Sequence, residues 1–258
     1  MSASSSDATE AQLSKGGPTL AIASLAAMAT YLDSSVLFVA FPDITQSFTA
    51  ATTSTLSWVL NAYTITFAAL LIPAGKLADR VGSKQALLVG ALIFTAASMV
   101  CGLSPSIEIL IFARIIQGSG AAVLVPSSLA LVLSAYHREK LPQVVAIWGA
   151  MGAFSAALGP SVGGVIVNGL GWRWIFFMNL PIGAVTLILG PRYLKESKNP
   201  EVRVPNLIGV ALVAVAAGVM SFAIVNSDTA GWASATTLTI ALIGVAILVL
   251  FVAHQKRT

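Results

Sequence analysis

Eight stretches of mainly apolar residues, separated by short polar or charged joints, set the pattern of this chain. They run over about Thr19–Ala40, Ser57–Ile72, Ala86–Leu103, Ile109–Leu133, Val144–Leu170, Trp174–Leu189, Leu207–Asn226 and Ala235–Ala253. Each approaches the roughly 20 residues that an α-helix needs to cross about 30 Å of hydrocarbon. Runs of this length and regularity predict membrane-spanning helices, so the expected fold class is an all-α integral membrane protein. Residues 1–18 are small and polar and read as a cytoplasmic tail. Residues 190–206 (Gly190–Asn206) read as a charged cytoplasmic linker, and 207–258 as two further spans with a short tail. The first apolar run is too long for a signal-peptide core and lacks the usual basic stretch ahead of it, so it reads as a retained helix.

Composition sharpens this picture. The chain is 57% hydrophobic and 9% charged, whereas soluble domains carry about 25% charged residues. Its net charge of +4 does not indicate nucleic acid, because the basic residues fall in joints beside the spans. Twelve of the 14 Lys and Arg residues lie on alternate joints: Lys15; Lys76, Arg80 and Lys84; Arg138 and Lys140; Arg192, Lys195, Lys198 and Arg203; Lys256 and Arg257. The opposite side holds Arg173, and Arg114 falls inside a span. That bias places both termini in the cytoplasm. Trp58, Trp148, Trp172, Trp174 and Trp232 fall near proposed helix ends, as interfacial anchors do. Cys101 is the single cysteine, so there is no disulfide framework.

Charge inside hydrocarbon costs about 2.5–3.5 kcal/mol per residue on insertion scales, which makes an intramembrane charge a functional candidate. Asp33 and Arg114 are the two clear cases, at similar expected depth and of opposite sign. Two readings are open: a structural ion pair that fixes packing, or a site at which Asp33 takes up and releases a proton while Arg114 favours release. Arg114, Gly118, Ala122 and Pro126 recur every four residues, giving the arginine space and letting a neighbouring backbone approach. Those glycines can equally serve packing alone. On the fifth span, Gly152, Ala156, Pro160 and Gly164 share one face, and Gly149, Ala153, Ala157 and Ser161 an adjacent one. Small residues so spaced permit backbone contact, and Pro160 removes a hydrogen bond and bends the helix. Either a sealing, rocking surface or static packing would use them. In the joint Gly75-Lys-Leu-Ala-Asp79-Arg80-Val-Gly82-Ser-Lys84, Gly75 can end a helix and Gly82 can make a tight turn. Asp79 is placed to cap a helix start or to pair with a base.

These residues carry a resemblance. The joint G-x-L-A-D-R-x-G-x-K resembles the signature loop between helices 2 and 3 of the major facilitator superfamily of secondary transporters. Leu110-x-x-x-Arg114-x-x-Gln117-Gly118-x-Gly120-Ala121-Ala122 is similar to the helix-4 motif of its proton-coupled antiporters. Ser155-x-x-x-Gly159-Pro160-x-x-Gly163-Gly164 is similar to the antiporter motif of helix 5, with Ser155 in place of its first glycine. Leu32-Asp33-Ser34-Ser35-Val36-Leu37-Phe38-Val39-Ala40-Phe41-Pro42 and Trp172-Arg173-Trp174-Ile175-Phe176-Phe177-Met178-Asn179-Leu180-Pro181 resemble the 14-helix drug:proton antiporter branch (quaternary-ammonium and multidrug resistance type), although Phe38 replaces its usual asparagine. The likeness runs from about Thr19 onward.

The resemblance implies an N-terminal six-helix bundle with a 3+3 repeat over residues 19–189, plus two additional transmembrane helices. It implies that Arg114 faces a central cavity, that Asp79 and Arg80 help latch two bundles on the cytoplasmic side, and that no cofactor is needed beyond a proton gradient. The expected activity is proton-coupled efflux of small amphipathic or cationic compounds across the cell membrane, within a longer 14-helix protein. Expected partners are membrane lipid, a small-molecule substrate, and a missing C-terminal bundle or a second copy of the chain. A metabolite uniporter or importer, and a non-transporting fragment or assembly subunit, are the alternatives. Enzymatic chemistry is not expected: His137 and His254 stand far apart at a joint and a helix end, and no serine has a His/Asp constellation.

Overall fold

The computed structural model describes residues 3–198 and 207–255. Residues 199–206 of the expected linker, with Arg203, and residues 256–258, with Lys256 and Arg257, lie outside the described residues. The elements are α1 (Ala3–Ser47), α2 (Thr53–Val81), α3 (Ser83–Leu103), α4 (Ile107–Ala135), a single 3-10 turn (Arg138–Lys140), α5 (Leu141–Leu170), α6 (Trp174–Phe177), α7 (Asn179–Tyr193), α8 (Leu207–Ala230) and α9 (Ala235–Gln255). Among the described residues, seven helices are long and apolar enough to cross a membrane, and the described apolar part of α8 covers Ala211–Ile224. The backbone of residues 3–18 continues α1 without a break ahead of the apolar span.

Local chemistry explains the joints. Thr52 caps α2 by accepting from the Thr55 amide at 3.2 Å, and Ser106 does the same for α4 through Ile109. The sixth span is broken at Met178 into α6 and α7. Pro181 follows that break, and its missing N–H leaves the turn before it without a regular helical partner. The charged joint between the second and third spans is not a ten-residue loop. α2 continues through Gly75, Asp79 and Arg80 to Val81, and Gly82 alone separates it from α3. Charged residues on the last turn of a helix can reach water without leaving helical geometry, so polarity there did not require a loop. Gly82, with φ +126°, makes the whole turn.

α1 forms the spine, packing on α4, α5 and the α6–α7 span. α4 packs on α2 and α3, and α3 also packs on α7. The α8–α9 hairpin attaches through α2, where Trp58 and Phe222 stack with centroids 6.3 Å apart. Two large apolar clusters fill most of the bundle, and a small third one gathers Ala23, Val132 and Val144. Of the two large ones, one gathers Val36, Leu37, Ile44, Val59, Leu110 and Phe176, and the other gathers Ile22, Ala29, Leu87, Phe94, Leu124 and Leu131. On α1, Asp33 lies between them. In lipid, helices gain little from hiding apolar surface against each other, so close backbone approach carries more of the packing. Gly118 lies against the Tyr63 backbone of α2, Gly120 against the Phe94 backbone of α3, and Gly159 against Ser35 of α1.

Candidate functional site

Between the two clusters, α1, α2, α3, α4 and the α6–α7 span each send a polar group to one point. Asp33 and Arg114 meet there: Arg114 Nη1 donates to Asp33 Oδ2 at 2.6 Å, and both side chains are almost fully buried. Arg114 Nε donates to the Val59 carbonyl at 3.2 Å, and its guanidinium lies 4.1 Å from the Tyr63 ring centroid. A fork of fixed donors, matched by a carboxylate, a carbonyl and an aromatic face, lets an arginine stay charged away from water.

Amides complete the cage. Gln117 Nε2 donates to Asp33 Oδ1 at 2.8 Å and to Ser98 Oγ at 3.2 Å, while its Oε1 accepts from Arg114 Nη1 at 2.8 Å. Asn179 Nδ2 donates to the same Asp33 Oδ1 at 2.7 Å and to Ser98 Oγ at 3.0 Å. Ser98 in turn donates to the Phe176 carbonyl at 2.9 Å, and the Cys101 thiol lies 3.6 Å from Gln117 Oε1. Tyr63 donates to the Thr30 carbonyl at 3.4 Å. Such a network holds a charge pair in low dielectric and fixes five spans in register.

The structure thus unites three residues singled out from the sequence, Asp33, Arg114 and Gln117. It adds Asn179, Ser98, Cys101 and Tyr63. Asn179 lay inside a quoted motif without a role, and Ser98 and Tyr63 carried no signal at all. Arg114 does not line an open cavity, contrary to the expectation from the resemblance. It is 1% exposed, because its donors are satisfied only inside the bundle. Phe38 is two-thirds exposed and stays out of the cage.

The remaining candidates lie elsewhere. Gly118 presses on α2, and Pro126, about two turns further along, meets Gly75, so the four-residue repeat on α4 is a packing seam against α2. On α5 the packed face is Gly152, Ser155, Gly159 and Gly163, which meet Tyr31, Met28, Ser35 and Val36 of α1. The two faces read from strict fourfold spacing are displaced from it: Pro160 is exposed, and a Cβ on Gly164 or Gly149 would meet nothing within 4 Å. At about 3.6 residues per turn, a buried stripe alternates steps of three and four, and strict fours drift off it.

Asp79 does not cap α3. Glu196, beyond α7, accepts from the backbone amides of Lys84 at 3.0 Å, Gln85 at 3.2 Å and Ser197 at 3.1 Å. Lys84 Nζ reciprocates by donating to the Pro191 carbonyl near the end of α7, at 2.7 Å. A carboxylate at a helix start and an ammonium at a helix end both oppose the local dipole. Asp79 and Arg80 form no ion pair among the described residues. Trp172 departs from the anchor reading: it is buried and donates to Ser47 at 2.9 Å. Half-buried Trp148 donates to Ser128 at 3.1 Å.

The methylenomycin A resistance protein of Streptomyces coelicolor is 39% identical over 233 residues, 89% of this chain and 48% of that protein. Its namesake in Bacillus subtilis is 37% identical over 247 residues, covering 95% and 53%. The multidrug resistance protein Stp of Mycobacterium tuberculosis is 37% identical over 241 residues, covering 93% and 45%. The chain therefore spans about half the length of these relatives. A crystal structure of a POT peptide transporter in complex with sulfate shares the fold, with a TM-score of 0.65 at 19% identity over 95% of this chain and 53% of that one. The model of the Major Facilitator Superfamily matches residues 23–255. The chain belongs to the major facilitator superfamily, a family of membrane transporters rather than enzymes.

Proposed function

We propose that the chain is the N-terminal portion of a 14-helix proton-coupled antiporter of the cell membrane, exporting small amphipathic or cationic compounds. The observation that carries this is the Asp33–Arg114 pair, enclosed by amides at the meeting point of five spans. A carboxylate held inside the membrane between a cation and neutral donors can exchange a proton and change its partners as it does so. The names of the relatives, which concern antibiotic and multidrug resistance, support the substrate class.

Alternating access uses a site between two repeats or bundles. The second bundle comes from the rest of a longer chain or from a second copy, and both termini of this portion face the cytoplasm. The intact mass of the native protein in its own membranes tests the first arrangement. A species near twice 26.6 kDa is expected, and a species at 26.6 kDa contradicts it. Proton coupling is tested in inverted vesicles holding the transporter that contains this chain, loaded by an imposed pH gradient with a fluorescent lipophilic cation. Asp33→Asn should abolish gradient-driven uptake. Full proton-driven uptake by that variant would end the assignment.

A further inference from the structure

Every neighbour of the Asp33 carboxylate is a donor. Oδ2 faces Arg114 Nη1, and Oδ1 faces the amides of Gln117 and Asn179. That cage fits a carboxylate, which only accepts. A carboxylic acid in the same place would point its O–H at N–H groups, so proton uptake has to rearrange a neighbour. Arg114 has no acceptor to offer. Gln117 is committed, since its Oε1 already accepts from Arg114 and approaches the Cys101 thiol. Asn179 differs: it is fully buried, and its Oδ1 has no hydrogen-bond partner.

We infer that Asn179 is the positioning residue that reads the protonation state of Asp33, its amide turning over when Asp33 takes up a proton so that Oδ1 accepts the new carboxylic O–H. The inference rests on the reading of Asp33 as the proton site. Proton balance is simple: the proton enters from water and stays on Asp33, and Asn179 neither gains nor loses one. The turn withdraws Nδ2 from Ser98 Oγ and brings Oδ1 to it. Ser98 then donates to Asn179 in place of the Phe176 carbonyl. Phe176 belongs to α6 and Asn179 opens α7. The exchange therefore acts at the break in the sixth span, where one turn already lacks regular helical bonding.

The other ionisable groups around Asp33 are Arg114 from α4, Tyr63 from α2 and Cys101 from α3. α5 packs on α1 through Gly152, Ser155, Gly159 and Gly163 and brings none. The α6–α7 span contributes only the Asn179 amide to the cage. Within the cage, Asn179 alone has a buried side-chain acceptor without a partner.

Infrared difference spectra between alkaline and acid pH test this on the purified transporter in lipid nanodiscs, with asparagine side-chain amides isotope-labelled. The expected result is a carboxylic C=O band that is lost in Asp33→Asn, accompanied by a label-sensitive asparagine amide band. In Asn179→Leu and Asn179→Ala the amide band should vanish, and the acid band should shift to the higher frequency of an acid with no acceptor. An acid band at an unchanged position in both variants overturns the inference. So does a wild-type spectrum with the acid band but no label-sensitive amide change, a measurement that needs no variant to fold. If no acid band is lost in Asp33→Asn, the proton-site reading falls first and the inference with it.

Discussion

Asp33 and Glu196 are both carboxylates that accept three hydrogen bonds, and both tie together segments distant in sequence. Asp33 is sealed inside the bundle, while Glu196 is exposed at the turn between α2 and α3. The first takes its bonds from side chains buried away from water, and the second takes them from backbone amides that water could also satisfy. Burial, more than the number of bonds, decides what each is worth. Breaking one member of a cage that water cannot replace strands the others. A surface clasp can open and close at small cost.

Of all single substitutions, one at Arg114 should have the largest effect. Arg114→Met should destabilise the protein by about 3–5 kcal/mol, because it strands a buried carboxylate. Thermal unfolding in detergent measures this, and the double variant Asp33→Leu with Arg114→Met should recover most of the loss. A single variant as stable as wild type would mean the pair is already solvated. Gly118→Val comes next. Its side chain would strike the Tyr63 carbonyl, and overpacking of this kind costs about 1–3 kcal/mol, read in the same unfolding assay.

The clasp should respond more weakly. Gly82→Ala forces a side chain into positive φ beside the Glu196 carboxylate, at about 1–2 kcal/mol, with faster proteolysis near residue 82 as the readout. Glu196→Ala should cost about 1 kcal/mol or less. Its effect should shrink as salt is raised, whereas that of Arg114→Met should not. Equal salt dependence at the two sites would erase the distinction drawn between them.

Some of this was legible in the chain and some was not. Asp33 and Arg114 stand out because a charge in an apolar run has so few cheap explanations. The spans were legible for the same reason, since long apolar runs leave helices as the economical fold. Asn179 was not, because an asparagine near a helix start is ordinary and its partner lies 146 positions away. Glu196 was hidden likewise, 112 positions from Lys84. On α5 the small residues announced close packing, but only the structure shows that the stripe runs through Gly152, Ser155, Gly159 and Gly163. The joint at Gly75–Lys84 misled in a different way: its charges mark the edge of the membrane, and the helix continues past that edge.

Proton release on substrate binding reports on Asp33 without the need for a sealed membrane. A lipophilic cation is added to the purified transporter that contains this chain, in weakly buffered detergent solution with a pH-sensitive dye. Asp33 as the proton site predicts a release in the wild type and none in Asp33→Asn, provided the variant still binds the cation. Release of undiminished size from an Asp33→Asn protein that binds the cation would contradict it.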